Sequence, residues 1–102
     1  MKYFIFGILF LFVFGCVQNN SERNSAVEKC IQLCRSLISN NADIYFGPCL
    51  SNEIEKDWVC DVAHSPRIAS DNLAENQCSF FREGKAGHFV ELDTDCSMIK
   101  TS

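Results

Sequence analysis

The chain has no cluster of positive charge. Nine Lys and Arg are scattered among thirteen Asp and Glu, and the formal net charge is −4. Phosphate contacts need grouped cations, so this distribution argues against nucleic acid as a partner. It also argues against docking on anionic lipid by charge alone. Internal repeats and low-complexity tracts are missing, so the chain reads as one small domain. There is no CxxC pair, which removes the thioredoxin-like redox motif. No glycines flank Ser65 or Ser70 in the nucleophile-elbow pattern, so neither serine carries a hydrolase signature. No apolar run reaches the roughly 20 residues that cross a bilayer. The longest spans residues 3–17.

That run is nevertheless the most informative segment present. Lys2 precedes it, and it closes on FLFVFGC, Phe10 to Cys16. A basic start, an apolar middle and a small residue before the cut make a secretory signal. Cys16 directly after Gly15 gives the site the form of a lipobox. The expectation is export, cleavage before Cys16 and lipid on that cysteine, with the protein held on the outer side of a cell membrane. The alternative is an uncleaved anchor. The domain boundaries follow: 1–15 signal peptide, 16–24 lipidated tether, 25–102 folded domain. The tether reads VQNNSERN after Cys16, polar and without periodicity.

The part after residue 15 has 87 residues, eight basic and thirteen acidic, for a net charge of −5. Six of the twelve aromatics lie in the signal, leaving Tyr45, Phe46, Trp58, Phe80, Phe81 and Phe89. A core this small is marginal without staples. Setting Cys16 aside leaves an even set: Cys30, Cys34, Cys49, Cys60, Cys78 and Cys96. In a short exported domain such a set is a disulfide framework.

Val27, Cys30, Ile31, Cys34, Leu37 and Ile38 recur at three- and four-residue steps, which predicts a helix over about 26–40. Ser25 and Glu28 form a capping box at its start, and Asn40-Asn41 supply a left-handed residue at its end. Residues 43–50 read as irregular with a turn at Gly47-Pro48. Residues 51–56 are polar with at most one helical turn. Asp57–Ala63 and His88–Leu92 read as strands. Between them lie a loop with a helical turn near 72–76 and an ambiguous segment, 78–81. The last ten residues form a polar tail pinned at Cys96.

Cys30 and Cys34 lie one turn apart on the apolar face. Their Cβ atoms should be about 5–6 Å apart, whereas a disulfide needs about 3.8 Å. Each must therefore reach a distant partner, which leaves twelve of the fifteen pairings of six cysteines. The preferred set is Cys34–Cys49, Cys30–Cys60 and Cys78–Cys96. A zinc site from Cys30, Cys34 and His64 or His88 has weaker support, because exported cysteines oxidise first. No metal and no cofactor is expected.

Asp61, His64, Arg67 and His88 form a possible polar site, with Glu91 in the same region. If the two strands pair, the histidines could be neighbours. A small enzyme or redox protein using Asp61, His64 and His88 is the alternative function. The plainer reading is that His64 closes a strand end and binds the loop, with Arg67 paired to an acid. Trp58 reads as core. Ile44, Tyr45 and Phe46 form the best exposed apolar patch, a candidate partner surface.

The segments GPCLSNEI (Gly47 to Ile54), DWVCDVAHSPR (Asp57 to Arg67), DNLAENQC (Asp71 to Cys78) and GKAGHFVELDTDC (Gly84 to Cys96) carry a resemblance. Over about Cys30 to Cys96 the chain resembles a group of small, cysteine-rich, predicted exported proteins of archaea. The resemblance implies an exported, anchored domain and assigns no chemistry.

The fold expected is α+β: a disulfide-rich domain with one amphipathic helix on a small antiparallel sheet. The function expected is a non-catalytic, membrane-anchored extracytoplasmic module that binds a protein or small-molecule partner. A concave pocket holding Asp61, His64 and His88 would favour the enzyme. A flat surface with an apolar Ile44–Phe46 patch would favour binding.

Overall fold

The computed structural model describes the backbone of residues 2–102 and the side chains of residues 21–102. The signal and lipidation assignments, Cys16 included, concern side chains outside the described set. One long helix, α1 (Lys2–Ser39), precedes β1 (Cys49–Glu55), β2 (Trp58–Val62), a short helix α2 (Ser79–Arg82), β3 (His88–Leu92) and β4 (Met98–Thr101). Two 3-10 turns, Ala69–Asn72 and Ala74–Asn76, sit between β2 and α2. The arrangement is α+β, as the helical and alternating patterns predict.

The C-terminal half of α1 lays Ala26, Cys30 and Cys34 into the core, with Val27, Ile31 and Leu37 packed beside them. Ile38 falls off this face and is exposed. The helix ends as expected. Asn41 has φ +63°, the Asn41 N–H donates to the Ile38 carbonyl, and the Ala42 N–H donates to the Leu37 carbonyl. These bonds are a Schellman closure, which satisfies carbonyls the last turn leaves free. The start differs. Helix continues through residues 16–24, expected to be an irregular tether, so Ser25 is an interior residue. Its hydroxyl donates to Glu55 Oε2 at 2.9 Å instead of capping. Lys29 Nζ meets the same oxygen at 2.6 Å. Together they tie α1 to the end of β1, and the Lys29 bond, then the Ser25 bond, hold the Glu55 carboxyl below its usual range.

The sheet order is β1-β2-β3-β4. The outer pairs are antiparallel, but β2 and β3 run parallel, with Trp58 opposite His88 and Asp61 opposite Glu91. The expected antiparallel sheet is therefore mixed. Parallel neighbours need a long crossover. Residues 63–87 supply it and cover the sheet face that α1 leaves open. Period-two alternation sorts the central strands between these covers. Trp58, Cys60, Val62, Val90 and Leu92 join the core beneath α1. Val59 packs on the opposite face with Cys78 and Ala86, and Phe80 and Phe89 lie against them.

Two strands are absent from the sequence reading. β1 is a polar edge strand, CLSNEIE, whose residues are nearly all half-buried, so no clean alternation marks it. Lys56 and Asp57 connect it to β2, and Asp57 takes φ +71°. β4 follows a tight turn in which Asp93 Oδ1 accepts from the Asp95 and Ser97 amides at 2.8 and 3.0 Å.

The six cysteines pair as Cys30–Cys60, Cys34–Cys96 and Cys49–Cys78. The exclusion of Cys30–Cys34 holds, and Cys30–Cys60 is as preferred. Cys34–Cys49 and Cys78–Cys96 are corrected. Cys96 sits in the β3–β4 turn beneath the last turns of α1, while the Cys49 side chain belongs to the crossover face, where Cys78 lies. Peptide mapping of unreduced protein should recover these three links. The Cys34–Cys96 link spans 62 positions. On loop-closure grounds, Cys34→Ala with Cys96→Ala should cost about 4 kcal/mol in denaturant unfolding.

Candidate functional site

A cleft opens on the sheet face opposite α1. Its floor comes from register. Asp61, Glu91 and Lys100 stand side by side on β2, β3 and β4, and Val59 and Phe89 form the row next to them. The crossover forms the wall with Arg67, Gln77 and Cys78, and α2 adds Phe81 and Arg82. The cavity is about 570 Å³, within the range of small-molecule sites. Phe81 meets Phe89 edge to face at 5.2 Å. Lys100 Nζ lies 5.8 Å from the Phe89 ring centre.

Two carboxylates side by side in a half-buried row repel each other. The site resolves this unequally. Arg67 Nη1 donates to Glu91 Oε1 at 2.8 Å, and Glu91 is only 5 % exposed. The rest of the guanidinium is also committed. Nη2 donates to the Asp71 carbonyl at 3.1 Å and to Asn72 Oδ1 at 3.2 Å. Asp61 has no such partner, and its Oδ1 is buried without a hydrogen bond. Burial, then the Glu91 charge, pushes the Asp61 carboxyl up to about 7, against the opposing pull of Arg67.

A second cluster lies behind the cleft wall. Asp71 Oδ2 accepts from the His64 and Ile68 amides at 3.0 and 2.9 Å. Its Oδ1 lies 2.9 Å from His64 Nδ1. Burial works to raise the Asp71 carboxyl, but the Ile68 and His64 bonds together outweigh it and hold it below the usual range. Gly47, at φ +80°, is required here. A Cβ on it would come within 2.5 Å of Asp71 Oδ1. Because an ionised Asp71 only accepts, His64 Nδ1 is the donor in this contact. Nε2 is buried without a hydrogen-bond partner, and the Tyr45 ring stands edge-on to the imidazole at 5.1 Å between ring centres. His64 and Asp71 thus clasp the start of the crossover and do not line the cleft.

The residues singled out from sequence separate accordingly. Asp61 and Arg67 line the cleft, and His64 sits behind it. His88 lies at the far end of the sheet, because parallel pairing sets the start of β3 beside the start of β2. The expectation that the histidines are neighbours is corrected. His88 stacks on Trp58 at 4.6 Å, and Trp58 is core. Of the apolar patch, Ile44 is buried at 6 % exposure, while Tyr45 and Phe46 are 69 % and 47 % exposed. Cys30 and Cys34 are spent in disulfides, so neither is a thiolate free to ligate zinc or run redox chemistry. Sequence reasoning missed Asp71, Lys100, Arg82, Phe81 and Phe89 as site residues. Alternation in HFVEL places Phe89 and Glu91 on one face, so those two were within reach; Lys100 needed β4.

No family model, curated protein or solved structure matches this chain.

Asp61 takes up its proton more readily folded than unfolded, so it lowers stability as pH rises from about 4 towards 7. Asp61→Asn should remove that loss. At pH 8 the variant should be more stable than wild type by on the order of 2 kcal/mol, with no difference near pH 4, in paired denaturant melts. Asp71→Ala should cost about 3 kcal/mol at pH 7, because two amides and an imidazole lose a charged acceptor. In wild type this contribution is present above the ordinary carboxylate range and fades as pH falls through the lowered Asp71 value.

Proposed function

We propose that the chain is a lipid-anchored, extracytoplasmic binding module whose ligand site is the cleft over β2, β3 and β4. The observation that carries this reading is the cleft itself: a floor that sets Asp61, Glu91 and Lys100 beside Val59 and Phe89, built on a sheet stapled by disulfides. A rigid scaffold of this kind holds a concave site open before a ligand arrives, which limits the ordering cost of binding. The resemblance to small exported archaeal proteins and the FLFVFGC segment support the location. A non-catalytic role fits the geometry better than the enzyme alternative. His64 lies behind the cleft wall with its Nε2 buried, and His88, stacked on Trp58, stands at the other end of the sheet.

The test is fractionation together with capture. The full-length protein should sediment with membranes and carry lipid at Cys16, and Cys16→Ser should abolish lipidation and slow or block lipoprotein-type processing. Mature protein that begins at Met1 would overturn the lipidated reading. Crosslinking in intact membranes should place the captured ligand on cleft residues. Crosslinks that reach only Tyr45 and Phe46 would move the binding surface to that patch.

A further inference from the structure

Among the described residues, the cleft holds two cations with no ionic partner. Arg67 is committed to Glu91, Asn72 and the Asp71 carbonyl. The Arg82 and Lys100 side chains make no ion pair and no hydrogen bond to protein, and both line the cleft. Val59, Phe81 and Phe89 give the same cleft an apolar lining. We propose that the cleft binds a small amphipathic carboxylate, its anionic head held by Lys100 and Arg82 and its apolar body on Phe81, Phe89 and Val59. This rests on the reading of the cleft as the ligand site and names the chemical class of that ligand.

Three features favour an anion over a cation or a neutral ligand. First, the cleft's negative charges are already answered or suppressed. Glu91 is neutralised by Arg67, and Asp61, half-buried beside Glu91, carries its charge only as pH rises past about 7. Arg82 and Lys100 then leave the cleft with an excess of positive charge near neutral pH, although the whole chain is acidic. Second, the positions suit a two-part ligand. Lys100 stands on β4 over the Phe89 ring, and Arg82 closes α2 directly after Phe81, so each cation adjoins an aromatic surface. Third, the Asp61 carboxyl lines the cleft, and its Oδ1 has no hydrogen bond from the protein. Its protonated carboxyl can donate to a ligand carboxylate, and its ionised form repels one.

Binding should therefore weaken as pH rises. The groups that face Asp61 are Glu91 from β3, Lys100 from β4, and Arg67 and Asp71 from the crossover. Bonds from Ile68 and His64 outweigh burial and hold the Asp71 carboxyl below its usual range. The change between pH 6 and pH 8 is then that of Asp61.

The experiment uses full-length protein in phosphatidylcholine nanodiscs, with empty nanodiscs as the blank. The probes are N-acetylphenylalanine and its amide, N-acetylphenylalaninamide, which share a body and differ in charge. Ligand-observed saturation-transfer NMR measures each affinity. The carboxylate should bind at least tenfold more tightly than the amide. Lys100→Gln and Arg82→Gln should each weaken the carboxylate about tenfold, the equivalent of one charge-assisted contact, and leave the amide unchanged. Carboxylate affinity should fall between pH 6 and pH 8, and Asp61→Asn should flatten that profile. Arg82 is an exposed residue, so its variant is expected to fold even if a substitution in the sheet does not. Equal binding of the two probes, lost when Phe81→Ala is introduced, would overturn the anionic class and leave the cleft as a binding site. Binding of neither probe, or carboxylate binding indifferent to both cation variants, would overturn the proposal. Crosslinked ligand in the cleft would then still sustain the module reading.

Discussion

The parallel pairing of β2 with β3 is the constraint on which the rest depends. It sets Asp61 beside Glu91, Val59 beside Phe89 and Trp58 beside His88. It also obliges the chain to leave the end of β2 and return to the start of β3 at the opposite edge of the domain. The crossover that does this covers one face of the sheet and leaves the other to α1. Central strands covered on both faces have apolar residues on both, and WVCDV and HFVEL do. Their two acids, Asp61 and Glu91, fall on the crossover face, where Arg67 can reach one of them.

Disulfides hold this arrangement because little else can. The buried apolar set is modest and includes Cys30, Cys34, Cys60, Cys78 and Cys96 themselves. Each link joins pieces that secondary structure leaves separate. Cys30–Cys60 ties α1 to β2, Cys34–Cys96 ties α1 to the β3–β4 turn, and Cys49–Cys78 ties β1 to the crossover. Helix and crossover are thus fixed to opposite faces of one sheet. By restricting the unfolded chain, the links offset entropy that the small core would not overcome alone.

The polar residues divide into two systems with different tasks. Asp71 is saturated: two amides, an imidazole and the missing Cβ of Gly47 fit around one carboxylate. Its function is to fix the path of residues 64–71. That path in turn delivers Arg67 to Glu91, so the clasp behind the wall positions the charge within it. Asp61 is the opposite case, a carboxyl with an unanswered oxygen on the cleft side of the same sheet. Low local polarity makes an unsatisfied group of this kind costly.

Much of the fold was legible because its signals are local. The apolar face of residues 27–37 follows from helical period alone, and Asn41 announces the helix end because it tolerates the left-handed region. β2 and β3 show themselves through Val, Trp and Phe bounded by turn residues. The prohibition on Cys30–Cys34 needs only the spacing of one turn. Strand direction is different, since WVCDV and HFVEL read the same whether they pair parallel or antiparallel. That choice decided whether His64 and His88 would meet. β1 and β4 are edge strands with polar sequences, supported by hydrogen bonds to neighbours and not by their own pattern. Without them the partners of Cys34, Cys49 and Cys78 and the place of Lys100 were beyond reach. The sequence by itself determined which residues could be helix, central strand or staple, because those choices depend on neighbours a few positions away. Tertiary structure alone decided which staples met and which charges shared the cleft, because those depend on chain direction and on contacts between residues tens of positions apart.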